Sequence, residues 1–348
     1  REVVTAYDSA TGRELWAHGW ETFFQEMMGG DGPRATPTWD DGRLFALGAA
    51  GELRALDAAT GELRWRTNIL ADAGATNLQW AMAASPLVVD GMVVVLPGGG
   101  NGRSVAAYNA NSGDIEWTAL SDVQGYTAPM LVELAGVRQI LVVTAGRAAG
   151  LAVEDGTLLW EHPWVTSTGP PNISMPVVIG GDRLFLSAGY GHGGALIDIA
   201  ETGGRLSARE RWHTIRMKNR FSTSVLYEGH LYGFDESILA CIDAETGELA
   251  WKGGRYGHGQ LLLADGHLVA SAPREIAGRM EVWGLGVLEK DAVPQTVLTL
   301  VVELVDPENV ERVPKEATTT LLGIDVPVVR LHAFEASAAA KVRAVLMA

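Results

Sequence analysis

From the first residues to about residue 272, apolar positions fall in short runs rich in Val, Leu and Ile, each ended by a turn. Such runs suit β-strands and leave no room for helices between them. Residues 86–89 and 92–96 read as a hairpin across Asp90-Gly91. Residues 104–108 and 114–118 read as a second, across an Asn-Ser-Gly turn. Together they make one four-stranded antiparallel unit.

The unit repeats. Ala6-Tyr-Asp8-Ser-Ala-Thr11-Gly12-Arg-Glu-Leu-Trp16 returns as Ala55 to Trp65, with Gly61, and as Ala107 to Trp117, with Gly113. A strong copy runs from Cys241 through Gly247 to Trp251, a shortened one ends at Trp160, and a worn one ends at Trp212. The tryptophans at 16, 65, 117, 160, 212 and 251 are spaced by 49, 52, 43, 52 and 39 residues. A second signature keeps the same beat: a small residue and proline, an apolar run, a turn and another apolar run. Thr36-Pro37, Ser85-Pro86, Ala128-Pro129 and Met175-Pro176 open four copies. Four strands in roughly 40–50 residues is one blade of a β-propeller. The tryptophan, at the outer edge of a blade, is expected to cover the glycine turn of a neighbour, where no side chain blocks the ring.

The Ala-x-Asp-x-x-Thr-Gly-x-x-x-Trp pattern resembles the tryptophan-docking repeat of the pyrroloquinoline-quinone (PQQ)-like β-propeller superfamily, the quinoprotein alcohol dehydrogenase-like propellers. The resemblance covers residues 1 to about 272 and implies an all-β fold of four-stranded antiparallel blades. Relatives have seven or eight blades. This chain supplies about six units: residues 1–16 read as the outer half of a blade and 258–272 as an inner half. The halves would close a six-bladed ring if they paired. The preferred reading is an arc of a larger ring, with Arg1 a truncated start that carries no leader. The superfamily holds calcium-dependent quinoprotein dehydrogenases and a non-enzymatic propeller lipoprotein of outer-membrane protein assembly. It also holds many uncharacterised exported relatives, of outer-membrane-assembly type, and residues 29–37 and 253–260 look most like these. The resemblance therefore implies a periplasmic or exported protein.

Composition narrows the partners. A net charge of -15 disfavours a nucleic-acid or anionic-membrane surface. No stretch reaches the roughly 18 apolar residues of a membrane helix. The single cysteine, Cys241, rules out an internal disulfide and a Cys-rich metal site, and reads as a small buried residue.

In a propeller, loops entering the innermost strand open on one face, around the channel, together with those between second and third strands. The Asp-Gly and Thr-Gly turns belong to the opposite face. The channel face carries Asp31 and Arg34, then Asn77, Gln79 and Trp80, then Tyr126. Asn172 and Ser174 follow, then Lys218, Asn219 and Arg220, and last His258 and Gln260. Tyr190-Gly-His192-Gly lies between second and third strands. This set is expected to bind a protein partner or a small polar ligand. His192 and His258 are candidate bases or ligands, but no third ligand accompanies them and no metal site is expected. Gly98-Gly-Gly lacks the helix and Lys-Ser/Thr of a phosphate loop.

Membership of the quinoprotein branch would require a calcium held by carboxylate and amide oxygens, a carboxylate base, and a tryptophan floor under the quinone. Trp80 is the candidate floor, and Asp31 or Asp235 the base. A capping disulfide between adjacent cysteines is impossible with one cysteine, and no Cys-x-x-Cys-His haem motif occurs. A non-catalytic binding propeller without a cofactor is the first reading; a PQQ- and calcium-dependent oxidoreductase is the second.

After about residue 272 the repeat stops. Residues 296–305 and 321–331 read as strands and 334–347 as a short helix. Residues 273–348 are a divergent segment: a last-blade remnant, a small α/β appendage or sequence read out of frame.

Overall fold

The computed structural model describes residues 1–27, 30–166 and 172–264, and the strands within 267–271, 279–289, 301–304 and 318–331. The chain divides into two compact units, Arg1–His258 and Gly259–Ala348.

The first unit opens with a hairpin, β1 (Glu2–Tyr7) and β2 (Glu14–Trp20). Five four-stranded sheets follow, each antiparallel and each joined in simple sequence order. The first holds β3 (Thr38–Asp40), β4 (Arg43–Leu47), β5 (Glu52–Asp57) and β6 (Leu63–Asn68). After α1 (Ile69–Ala73), the second holds β7 (Leu87–Val89), β8 (Met92–Val95), β9 (Val105–Asn109) and β10 (Ile115–Ala119). The third holds β11 (Met130–Leu134), β12 (Val137–Val143), β13 (Arg147–Leu151) and β14 (Leu158–Pro163). The fourth holds β15 (Val177–Ile179), β16 (Arg183–Ala188), β17 (Gly193–Thr202) and β18 (Arg205–Thr214). The fifth holds β19 (Val225–Tyr227), β20 (His230–Asp235), β21 (Ile238–Asp243) and β22 (Leu249–Arg255). These are propeller blades. The six tryptophan units are thus five whole blades and the opening hairpin.

The expectation that no helix fits between the strands needs one correction. The single turn α1 fills the connection after β6, because the Asn68 side chain accepts from the Ala71 N–H and Gly74 ends the turn in the left-handed region.

Apolar cores lie between successive blades. Phe45, Leu53 and Trp65 of the first pack with Val93, Val95 and Tyr108 of the second. Three further clusters repeat this at the next three boundaries. At every outer hairpin the register shifts beside the tryptophan: Ala55 pairs with Trp65, but the next residue, Leu56, pairs with Leu63. This β-bulge recurs at Trp16, Trp117, Trp160, Trp212 and Trp251. An extra residue there turns the strand and re-aims the indole.

The indoles cross the blade boundaries. Trp16 donates to Ala58 O (3.1 Å), Trp65 to Ala110 O (2.9 Å) and Trp117 to Val153 O (3.2 Å). Gly61 has φ +74°, and a Cβ there would lie 2.5 Å from the Trp16 ring. Only glycine meets both demands. The preceding aspartate builds the turn: Asp57 Oδ1 accepts from the Ala59 and Thr60 N–H groups and the Thr60 hydroxyl, at 3.0, 3.0 and 3.1 Å. Asp8 and Asp243 repeat the arrangement, and Asn109 accepts the two N–H bonds.

Trp160 departs from the rule. The blade after it has no short Thr-Gly turn; β17 and β18 instead run for 10 residues each. Trp160 turns to Gln139 of its own blade, its N–H 2.5 Å from Oε1. The long hairpin lies along the outside of β14, with Leu206 and Ala208 packed on the third-to-fourth core and Glu210 3.9 Å from His162.

In the second unit, β23 (Gln260–Ala264) and β24 (His267–Ser271) form one hairpin, and β25 (Arg279–Val282) and β26 (Gly286–Glu289) another. β27 (Val301–Leu304), β28 (Thr318–Leu321) and β29 (Ile324–Leu331) form a sheet in which β27 runs parallel to β29. The expected helix over 334–347 lies outside the described residues.

Candidate functional site at the channel mouth

Antiparallel order sorts the connections of the first unit onto two sides. One side holds the turns between first and second and between third and fourth strands. The other, the channel-mouth side, holds the connections between second and third strands and those leading to the next blade.

The two sides differ in chemistry. On the turn side the connections contain 11 acidic residues and one basic residue, Arg13. Several of these acids are structural: Asp90 takes a bidentate pair from Arg138 of the next blade (2.6 and 2.8 Å), and Glu245 pairs with Arg183 and Arg211. The channel-mouth connections contain six acidic and five basic residues. Among the described residues, seven large apolar side chains in the connections of this unit are exposed, and all seven lie on the channel-mouth side. Phe23 (74% exposed) and Met27 (98%) follow β2; Val123 and Val165 follow the second and third blades; Ile215 (69%) and Phe221 (47%) follow the fourth; Tyr256 follows the fifth. Sequence reasoning singled out polar residues here and missed these neighbours, which were legible only as apolar residues inside loop segments.

The polar candidates separate into loop staples and a mouth cluster. Asn172 is buried; its side-chain N–H donates to Thr144 O (2.8 Å) and Trp164 O (3.2 Å). Asn77 does the same for Ala49 O (2.9 Å). Buried Asn219 donates to Ser224 Oγ (2.7 Å). Asn77 and Asn172 tie one channel-mouth connection to another, and Asn219 closes its own connection on itself.

Lys218 and Lys252 both pair with Asp235, the latter at 2.5 Å. Asp235 is 1% exposed. Burial pushes its pKa up, but hydrogen bonds and charge from the two lysines outweigh burial and hold it below the ordinary aspartate value. A carboxylate held ionised by two ammonium groups is a poor proton acceptor, so Asp235 does not suit the base role.

Most of the remaining candidates are linked to one another on this side. Arg34 donates to the carbonyls of Gly32 (2.8 Å) and Gly30 (2.7 Å) in its own loop, with its guanidinium 5.3 Å over the Phe24 ring. Asp31 is exposed in the same loop. The Tyr126 hydroxyl accepts from the Trp80 backbone N–H (3.2 Å), and their rings lie tilted 6.2 Å apart. Burial raises the Tyr126 pKa, with Arg34, Glu26 and Tyr190 all within electrostatic reach. Tyr190 carries the Arg220 guanidinium 4.3 Å over its ring. Arg220 pairs with Glu236 at 3.0 Å and lies 3.5 Å from His258, whose ring meets Phe221 edge-on at 5.4 Å. Burial first, then Arg220, lowers the His258 pKa.

His192 belongs to a separate group, edge-on to Trp164 (4.4 Å) with His213 at 5.8 Å, and burial lowers its pKa. Gln260 lies in the second unit, on β23. Cys241 is buried, its thiol pushed up to about 11, first by burial.

Among the described residues no three His, Cys, Asp or Glu side chains converge. The buried carboxylate Asp235 is taken by two lysines, and the Trp80 ring is tilted against Tyr126.

A family model described as outer membrane protein assembly factor BamB matches residues 1–253. The chain belongs to this family. A BamB of Yersinia pestis is 24% identical over 243 residues, 67% of this chain and 60% of that protein. The chain thus spans less than two thirds of the length of that relative. Among solved structures, BamB from Moraxella catarrhalis aligns with a TM-score of 0.42 at 16% identity, covering 78% of this chain and 86% of that one. A europium-containing methanol dehydrogenase aligns at 0.38 and 12% identity, covering 75% and 76%. No helix among the described residues is long and apolar enough to cross a membrane.

Proposed function

We propose that this BamB-family chain is a non-catalytic propeller that docks a protein partner on its channel-mouth face, in the periplasm or another exported compartment. The observation that carries this reading is the one-sided exposure of large apolar side chains in the connections. Exposed apolar groups gathered in the loops of one side, among polar ones, suit a protein interface. The acidic opposite side disfavours acidic partners there. Family membership supports the same reading, since the family is described as an assembly factor.

The test is capture of partners from an envelope extract on the immobilised chain. Phe23→Ser with Ile215→Ser is expected to lose a protein that the parent retains, while Glu228→Gln with Glu248→Gln on the turn side retains it. Loss only with the turn-side pair would overturn the proposal. The oxidoreductase reading is tested separately: titration with PQQ and calcium, followed by absorbance, is expected to show no saturable binding at micromolar quinone.

A further inference from the structure

The basic charge of the channel-mouth face is not evenly spread. Of its five basic residues, Arg216, Lys218 and Arg220 lie in the one connection between β18 and β19. Lys252 adds a fourth cation beside them through Asp235. Two carboxylates, Asp235 and Glu236, pair with this group, so the sector keeps a surplus of positive charge in a chain of net charge -15. Arg216 forms no ion pair among the described residues.

The same sector is apolar at its surface. Ile215 and Phe221 bracket the cations in sequence, and Tyr256 stands exposed beyond them, its ring 6.4 Å from Phe234. Arg220 is fixed before any partner arrives, by the Tyr190 ring beneath it and Glu236 beside it. A guanidinium already held in place loses little side-chain entropy on meeting a carboxylate.

We propose that this sector, Ile215 to Phe221 with Tyr190 and Tyr256, receives a short acidic segment of a protein partner that alternates carboxylates with aromatic or leucine side chains. The carboxylates face Arg216 and Arg220; the apolar side chains cover Ile215, Phe221 and Tyr256. The inference rests on the docking reading above and gives that face a partner chemistry.

The experiment uses the full chain and two labelled peptides of equal length followed by fluorescence anisotropy. One alternates Asp and Glu with Phe and Leu; the other carries Asn and Gln in place of the acids. The acidic peptide is expected to bind about tenfold tighter at low salt, with the difference shrinking as salt rises. Arg216→Ala and Phe221→Ala are each expected to weaken it by about fivefold or more, with thermal midpoints near that of the parent. Equal binding of the two peptides, or unchanged binding by both variants, overturns the inference. So does failure of the acidic peptide to bind; partner capture that still depends on Phe23 and Ile215 would then leave the docking reading standing without this chemistry.

Discussion

The Trp65 indole donates to the Ala110 carbonyl at 2.9 Å, across the boundary between the first two blades, and its ring covers Gly113. Trp65→Ala removes a buried aromatic and leaves that carbonyl without its donor. It is expected to cost about 3–5 kcal/mol in urea unfolding. Gly113→Ala tests the other half of the contact, because a Cβ would lie 2.8 Å from the ring and φ is +79°. It too is expected to lower the midpoint, whereas Gly136→Ala, where a Cβ meets nothing within 4 Å, carries only the strain of its positive φ. Equal losses at the two glycines would argue against the docking.

The third blade offers a contrasting test, since Trp160 is held from within. Gln139 accepts the indole N–H and donates to Leu134 O (3.2 Å) and Val137 O (3.0 Å), and it is fully buried. Gln139→Leu leaves one buried donor and two carbonyls without this partner. It is expected to cost about 1–3 kcal/mol or more, measured by urea unfolding. A neutral substitution would mean that Trp160 finds another acceptor.

The blade repeat was legible because the turns that Trp16 and Trp212 cover are built from residues at fixed short spacing: an aspartate to build the turn, a threonine to close it, a glycine to admit the ring. The long hairpin at Thr202-Gly203 was not. Its turn residues resemble a worn repeat, and only pairing as far out as Thr202 with Arg205 shows that the strands run on. At the channel mouth, sequence placed Arg34, Trp80, Tyr126, Tyr190, Arg220 and His258 on one side. It could not say that Asn172 and Asn219 are consumed as staples, or that Lys218 is tied to Asp235. Those facts depend on partners 5 to 28 residues away, at no fixed spacing. Charge alone does not reveal whether a lysine faces solvent or a buried acid.

Asp235 makes a separate prediction. Its side chain has no exposure, and both oxygens meet ammonium groups. Asp235→Asn leaves Lys218 and Lys252 close together with no counter-charge. The expected cost is about 3–5 kcal/mol, because breaking a buried pair strands a charge. Lys218 also donates to Ile215 O (2.9 Å), so amide exchange should quicken first in residues 215–220. Exchange that quickens uniformly would show that the triad does not hold this connection.

Acidification should destabilise the first unit in two windows. His18, His162, His192 and His258 all have pKa values lowered, burial being the largest cause in each. A histidine that resists protonation when folded contributes stability that is whole above its ordinary value, about 6.5, and is lost as pH falls through the lowered one. Asp8, Asp155 and Asp243 are lowered by turn hydrogen bonds, Asp57 by the Arg64 pair first and then by its turn, and Asp90 by the Arg138 pair. Their contribution is whole above the ordinary carboxylate value, about 3.9, and is lost below it. Glu2 runs the other way: burial raises its pKa, so its contribution is present at low pH and lost as pH rises through the raised value. The urea midpoint is expected to fall from pH 7 to 5, hold, and fall again below pH 4. His192→Gln with His258→Gln should flatten the upper window and leave the lower one. An upper window unchanged in that variant would place the titration elsewhere.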